Sequence, residues 1–269
     1  MVRPTNRYKR LIESVFFERF TEGAIEISFE RTDLETAAST LGIKLPKNLG
    51  DVVYAIRYRT SMPDSILETQ PDGMEWIIEG AGRARYCIKL VKINRIVPNL
   101  DLVTIKVPDS TPEIVAQYSL TDEQALLAKV RYNRLIDIFL GLTTYSLQNH
   151  LRTTVSEVGQ IEIDEIYVGI NRHGCHYVIP VQAKGGSDQL SVVQTKQDIL
   201  CCSEKFPDLV CRAISTQFMS DDLIALFELT VQDDQVKLVQ ERHYQLVPSS
   251  AIEKADLRQY RTISDEDTL

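Results

Sequence analysis

Four polar side chains within Gln160–Gly186 (QIEIDEIYVGINRHGCHYVIPVQAKGG) have the types and spacing that chemistry at a bound cation requires. Two strand-like apolar runs flank a short polar turn. With the hairpin centred on His173, Asp164 lies opposite Gln182 and Glu162 opposite Lys184. Strand side chains alternate, so these four share one face. Directly opposed Cβ atoms are then roughly 4.5–5.5 Å apart. Ile161, Ile163, Val181 and Ala183 point the other way, into a core. A carboxylate, an amide oxygen and an ammonium gathered at one spot are what a hard cation and an activated water need. A slip of one residue would turn Glu165 to that face instead.

The flanking elements must hold this hairpin in place. TDEQALLAKVRYNRLIDIFLG reads as one helix, with Thr121 as N-cap, acids in its first turn and Gly141 at its end. Ala125, Leu126, Val130, Ile136 and Phe139 are its candidate buried side. A strand over Leu151–Val158 leads into the hairpin, and a helix from about 188 to 203 follows it, with Ser187 available as cap. Then come a strand (Leu209–Thr216), a helix (Asp221–Leu229) and a strand (Val236–Glu241). From 121 to 217 the order is α-β-β-β-α-β.

That order, with Asp on the second strand and Gln182-Ala183-Lys184 on the third, resembles the PD-(D/E)XK nuclease superfamily. The superfamily includes many type II restriction endonucleases and DNA-repair nucleases. Gln182 stands where the motif usually has an acid, and Ile163 where it often has Pro. The resemblance covers about 100 of the 269 residues. It implies an α/β (α+β) fold with a restriction-endonuclease-like core and a mixed central sheet. It also implies hydrolysis of phosphodiester bonds in double-stranded DNA with Mg²⁺, Mn²⁺ serving as a substitute.

Physical chemistry assigns the parts in the same way. Mg²⁺ takes oxygen ligands, keeps several waters, and uses one or two carboxylates plus substrate phosphate. Asp164 is the expected carboxylate ligand, Gln182 supplies its side-chain carbonyl and Ala183 a backbone carbonyl. Lys184 positions the metal-activated water or stabilises charge in the transition state. Glu162 on the same face and Glu123 on the preceding helix are candidates for a second catalytic carboxylate. Gln182→Glu is expected to keep or raise metal affinity, because it restores a charge.

Several segments are candidate DNA contacts. Gly185-Gly186 precedes a helix N-terminus, where free N–H groups suit a phosphate; a plain strand-to-helix turn is the alternative. Gln148, Asn149, His150 and Arg152 lie where a loop is expected to enter the first core strand, and such side chains read base edges or clamp phosphate. Arg131 and Arg134 read as solvated helix charges. Upstream, helices near Tyr8–Phe20, from Thr32 or Asp33 to Leu41, and over Pro46–Tyr58 precede strands at Trp76–Glu79 and Arg83–Ile93. A short strand (Ala24–Phe29) lies between the first two helices. Helix, turn, helix and hairpin is a winged-helix-like order, with Arg83, Arg85 and Lys89 along the wing. The expected division is therefore 1–112 as a DNA-recognition module and 113–269 as the nuclease core, with Pro98, Pro108 and Pro112 marking the joint.

Composition sets bounds on the rest. A chain of 269 residues, 43% hydrophobic and 25% charged, is that of a globular protein of one large domain or two ordinary ones. A net charge of −8 argues against generalised nucleic-acid adhesion, but 81–100 holds five basic residues and no acid. The N-terminal segment reads as an amphipathic helix rather than a signal peptide, and no apolar run nears the roughly 18–20 residues a membrane span needs. Five cysteines without a C-x-x-C pair suit a reducing, cytoplasmic setting. His173, Cys175 and His176 match no common zinc spacing and read as a turn, and Cys201-Cys202 as small core residues. No P-loop, G-x-G-x-x-G or G-x-S-x-G is present. Cutting both strands of a duplex calls for two active sites, hence a homodimer, and a restriction enzyme needs a methyltransferase acting on the same site. The competing readings are a repair, junction or defence-system nuclease, a non-catalytic DNA-binding protein on a degenerate nuclease fold, and a globular α/β protein without DNA affinity.

Overall fold

Helical periodicity in the first third of the chain and alternating strands in the remainder build separate hydrophobic cores. In the computed structural model the described residues are 6–58, 60–92, 96–118, 123–156, 158–185, 190–220, 222–233 and 235–262. The chain divides into two compact units, Met1–Asn94 with Thr154–Gln160, and Arg95–Thr153 with Ile161–Leu269.

The first unit runs α1 (Arg7–Arg19), β1 (Glu26–Glu30), α2 (Arg31–Leu41), α3 (Gly50–Tyr58), α4 (Asp64–Leu67), β2 (Met74–Gly80) and β3 (Arg85–Lys92). Leu11, Ile12, Val15 and Phe16 form one face of α1. They pack on Leu34 and Ala38 of α2, Val52 and Ile56 of α3, and Trp76, Ile78 and Ile88 of the strands. α2 opens at Glu30, whose backbone N–H donates to Asp33 Oδ2 at 2.7 Å, two or three residues before the expected cap. It closes at Gly42, which takes the left-handed conformation (φ 64°) that glycine adopts most cheaply. The strands form an antiparallel sheet ordered β1-β3-β2. Gly80 is required at its place, because a Cβ there would meet the Val158 carbonyl oxygen at 2.1 Å.

The second unit contains β4 (Thr104–Pro108), α5 (Glu113–Tyr118), α6 (Glu123–Tyr132), α7 (Leu135–Leu140), β5 (Thr143–Val155), β6 (Gly159–Ile170) and β7 (His176–Lys184). Then follow α8 (Val192–Lys205), β8 (Val210–Cys211), β9 (Ala213–Ser220), β10 (Leu223–Gln232), β11 (Gln235–Val247) and α9 (Lys254–Tyr260). An eight-stranded mixed sheet is ordered β4-β11-β10-β9-β7-β6-β5, with β8 beside β7. β4 is parallel to β11 and β7 is parallel to β9.

Four sequence expectations change here. The helix expected over Asp221–Leu229 is replaced by strand: β10 occupies 223–229, between β9 and β11. Ile224, Ala225, Leu226 and Phe227 are all fully buried, and a short run apolar on both sides carries no period that separates strand from helix. The helix expected over 121–141 is two, because Arg134 turns left-handed (φ 51°). Asn133 drives the break: its Nδ2 donates to the Lys129 carbonyl at 3.0 Å and to Thr111 Oγ1 at 3.0 Å, while its Oδ1 accepts the Ser110 N–H at 2.6 Å. The proline-rich stretch is not only linker, since Thr104–Pro108 pairs with β11, and the division expected at 112/113 differs from the observed division at 94/95. The strand expected to begin at Leu151 begins at Thr143. Thr121 and Ser187, the expected caps, lie outside the described residues. α8 is capped by Ser191, whose Oγ accepts the Gln194 N–H at 3.2 Å.

Candidate functional site

The β6–β7 hairpin pairs Ile170 with His176 and continues to Glu165 with Val181, a register centred on His173. Beyond Val181, β7 pairs with β9, Gln182 beside Ser215 and Lys184 beside Gln217. Asp164 therefore reaches β7 through its side chain: Oδ2 accepts the Ala183 backbone N–H at 3.0 Å. Two helices cover opposite faces of β7. Val181 and Ala183 face α6, in a core with Leu126, Leu127 and Val130. Val178 joins Cys202 of α8 on the other face, and Gln182 Nε2 donates to Asp198 Oδ2 of α8 at 2.8 Å.

Asp164, Gln182 and Lys184 thus gather at the end of the hairpin, as alternation along its strands requires. Lys184 is largely buried, and its Nζ lies 3.2 Å from Glu123 Oε1 at the start of α6. Glu123 is brought to the site, but as the partner of the lysine. Glu162 is not at that spot: it is partly exposed and held by His150 Nδ1 at 3.2 Å and Arg152 Nε at 3.1 Å. Ala183 meets Asp164 through its N–H, the opposite end of the residue from the carbonyl expected as a ligand. Burial pushes the Asp164 carboxyl above its ordinary pKa; the Ala183 N–H and the Lys184 ammonium oppose that rise, and Glu123 adds to it.

Two acids had roles that the sequence did not disclose. Asp198 is 1% exposed, and burial pushes its carboxyl well above the usual range, with the Gln182 hydrogen bond opposing and Asp164 adding to the rise. Its only sequence signal was its position, three and four residues before Cys201 and Cys202, on the buried side of a helix. Glu165 lies on the α6 face, fully buried, with Arg131 Nε donating to Oε1 at 2.8 Å. Arg131 is therefore an ion-pair partner of a core carboxylate, not a solvated helix charge. Its Nη2 also donates to Asn149 Oδ1 at 3.2 Å.

The expected DNA contacts divide into exposed and engaged groups. Arg83 and Arg85 are exposed at the turn between β2 and β3, whereas Lys89 pairs with Glu79 at 3.1 Å. Asn149, His150 and Arg152 are on β5 rather than on a loop, and His150 has a left-handed backbone (φ 48°). Gly185 follows the last residue of β7, and Gly186 lies outside the described residues. At the hairpin tip, Asn171 Oδ1 accepts the N–H groups of His173 (2.9 Å) and Cys175 (3.0 Å), so the RHGCH segment is a hydrogen-bonded turn.

Among the described residues no cluster of three or more His, Cys, Asp and Glu side chains could hold a metal ion. Mg²⁺ needs fewer protein ligands than that, since it keeps waters and shares substrate phosphate. The donor set fits such an ion: Asp164 offers a carboxylate, and Gln182 Oε1 and Asp198 Oδ1 are buried oxygens with no hydrogen-bond partner among the described residues. Buried oxygens of this kind are rarely left unmet unless something else satisfies them. No family model, no curated protein and no solved structure matches this chain. No described helix is long and apolar enough to cross a membrane.

Proposed function

We propose that this protein is a Mg²⁺-dependent endonuclease acting on double-stranded DNA, of the restriction type, with Mn²⁺ able to replace Mg²⁺. The observation that carries this is the convergence of Asp164, Gln182 and Lys184 at the end of one hairpin, with Gln182 Oε1 and Asp198 Oδ1 buried and without partners among the described residues. Asp164 and Gln182 Oε1 would hold the ion, with the Ala183 carbonyl as the third candidate. When bound, it would neutralise phosphate charge and lower the pKa of a water. Lys184 supplies a fixed positive charge beside the phosphate, and its pairing with Glu123 keeps the ammonium in place before substrate arrives. The order α6–α7, β5, β6, β7, α8, the two-residue β8, β9, with β9 parallel to β7, supports a restriction-endonuclease-like core. In the first unit, the order α1-β1-α2-α3-α4-β2-β3 with a β1-β3-β2 sheet supports a winged-helix-like module. Arg83 and Arg85 at its wing would contact phosphates. The active species would be a cytoplasmic homodimer, and a methyltransferase acting on the same site would protect the host sequence.

The alternative, a DNA-binding protein without catalysis, is favoured by one feature: an amide stands at position 182 where a carboxylate would bind the cation more tightly. Incubating the protein with mixed plasmid DNA and Mg²⁺ or Mn²⁺ separates these readings. Discrete fragments are expected from the wild type. Lys184→Ala and Asp164→Asn are expected to cut at rates lower by about 10²–10³-fold or more, the usual loss when a charge-stabilising group is removed. Retained DNA binding without cleavage would replace the enzyme by the binding module, and smears or structure-specific nicks would favour a repair nuclease.

A further inference from the structure

A glutamine amide has a donor end and an acceptor end of nearly equal size, and only its partners decide which way round it sits. At Gln182 that choice is made by α8. Asp198 Oδ2 accepts from Gln182 Nε2 at 2.8 Å, which sets the NH₂ end of Gln182 toward the helix and leaves Oε1 for another partner. That oxygen is buried and has no protein partner among the described residues, and the same is true of Asp198 Oδ1. Ser215 sits beside Gln182 in register on the parallel strand β9, hence on the same face, and its Oγ is a third such atom. The first turns of α8 are buried all round, Val193 with the polar Gln194, Thr195, Lys196, Gln197 and Asp198, and Asp198 is the one whose hydrogen bond reaches this layer. A helix packed for stability alone would place apolar groups there, as it does one turn further on at Cys201 and Cys202.

We propose that Gln182 and Asp198 work as one unit: the helix carboxyl orients the strand amide toward the cation and, ionised when the cation binds, would carry the negative charge that the strand lacks at position 182. This rests on the nuclease reading of the site. Asp198 is a positioning residue, acting through Gln182 rather than on substrate. The expectation from sequence that Gln182→Glu simply strengthens the site therefore changes. With Asp198 behind it, the new carboxylate faces another carboxylate and both lose the donor between them.

The test is a reciprocal exchange in the full-length protein: Gln182→Glu, Asp198→Asn and the double variant beside the wild type. Two quantities are measured, the thermal midpoint of the metal-free protein and Mn²⁺ uptake followed by the resonance of the free ion, with and without a short DNA duplex. Gln182→Glu is expected to lower the midpoint by on the order of 2–4 °C or more. Asp198→Asn is expected to weaken Mn²⁺ uptake about 10-fold or more, as loss of an orienting group behind a ligand does. The double variant, with Glu on the strand and Asn on the helix, regains both. Losses that add in the double variant overturn the unit. So does Mn²⁺ uptake unchanged in Asp198→Asn, which would leave Asp198 a packing role only. Uptake by none of the four proteins, with or without DNA, overturns the cation reading and the positioning role together. A normal isotherm without cleavage by the wild type removes the nuclease reading and leaves the positioning role standing.

Discussion

Against α6, β7 turns Val181 and Ala183 into a core with Leu126, Leu127 and Val130; against α8, the next residue along the same strand buries an amide on a carboxyl. The two faces are equally dry, since Gln182 is 2% exposed and Val181 0%. The contacts that Val181 and Gln182 make there differ in energy. Burying an apolar side chain of this size is worth about 1.5–3 kcal/mol. A buried hydrogen bond returns only about 0.5–1.5 kcal/mol net, and each buried polar atom left unmet costs about 1–3 kcal/mol. Among the described residues Gln182 Oε1, Asp198 Oδ1 and Ser215 Oγ are such atoms on the α8 side, and Glu165 Oε2, Tyr167 OH and Thr216 Oγ1 on the α6 side. What sets the faces apart is their main contact: α6 surrounds its polar atoms with the apolar core of Leu126, Leu127 and Val130, whereas on the α8 side the Gln182 amide meets a carboxyl.

The largest effect should come from the apolar face. Leu127→Ala removes a fully buried side chain and is expected to cost about 2–5 kcal/mol in urea unfolding. Cleavage per folded molecule should be nearly unchanged. A large loss of specific activity at full folding would erase the distinction between the faces.

On the polar face the expected sign is reversed. Gln182→Leu combined with Asp198→Leu replaces both hydrogen-bonding partners by apolar groups, a change that is neutral or stabilising when shapes are kept. The unfolding free energy should stay the same or rise by about 1–3 kcal/mol, with cleavage abolished. A loss of more than about 2 kcal/mol would mean that the polar layer is structural after all.

The smallest effect is a pH dependence confined to the α8 face. Burial raises the Asp198 pKa in the folded protein well above its unfolded value of about 3.9. Between those two values the folded state holds the extra proton, so this residue's contribution is fully present below about pH 4 and is lost as pH rises through the folded pKa. Asp198→Asn carries no such dependence. Its thermal midpoint relative to the wild type should therefore climb as pH rises above 4, and a constant difference from pH 4 to 8 would contradict the buried carboxyl.

Much of the site could be read before the fold was known. Alternation of apolar residues on both sides of Asn171–Cys175 placed the hairpin centre at His173, and with it Asp164, Gln182 and Lys184 at one end. What could not be read were the partners. QTKQD within α8 has the composition of a solvated helix surface, and its burial follows from what the fold lays over it. Arg131 looked solvated for the same reason, and Glu165 pairs with it across 34 positions of sequence. Glu162 shared the required strand parity but lies on a stretch of β6 where His150 and Arg152 of β5 claim it. In β10 the local signal failed outright, because a strand buried on both faces loses its two-residue period.

By itself the sequence determined what depends on neighbours a few residues away: the helices and their glycine stop at Gly42, the hairpin register, and the face on which Gln182 and Lys184 stand. Only the tertiary structure decided which groups meet that face. It set Glu123 against Lys184 and Asp198 against Gln182, because those contacts join separate elements and leave no period or spacing in the chain. The opposed ends of one amide are invisible in a sequence, and their assignment came from the carboxylate that a packed helix brings to 2.8 Å.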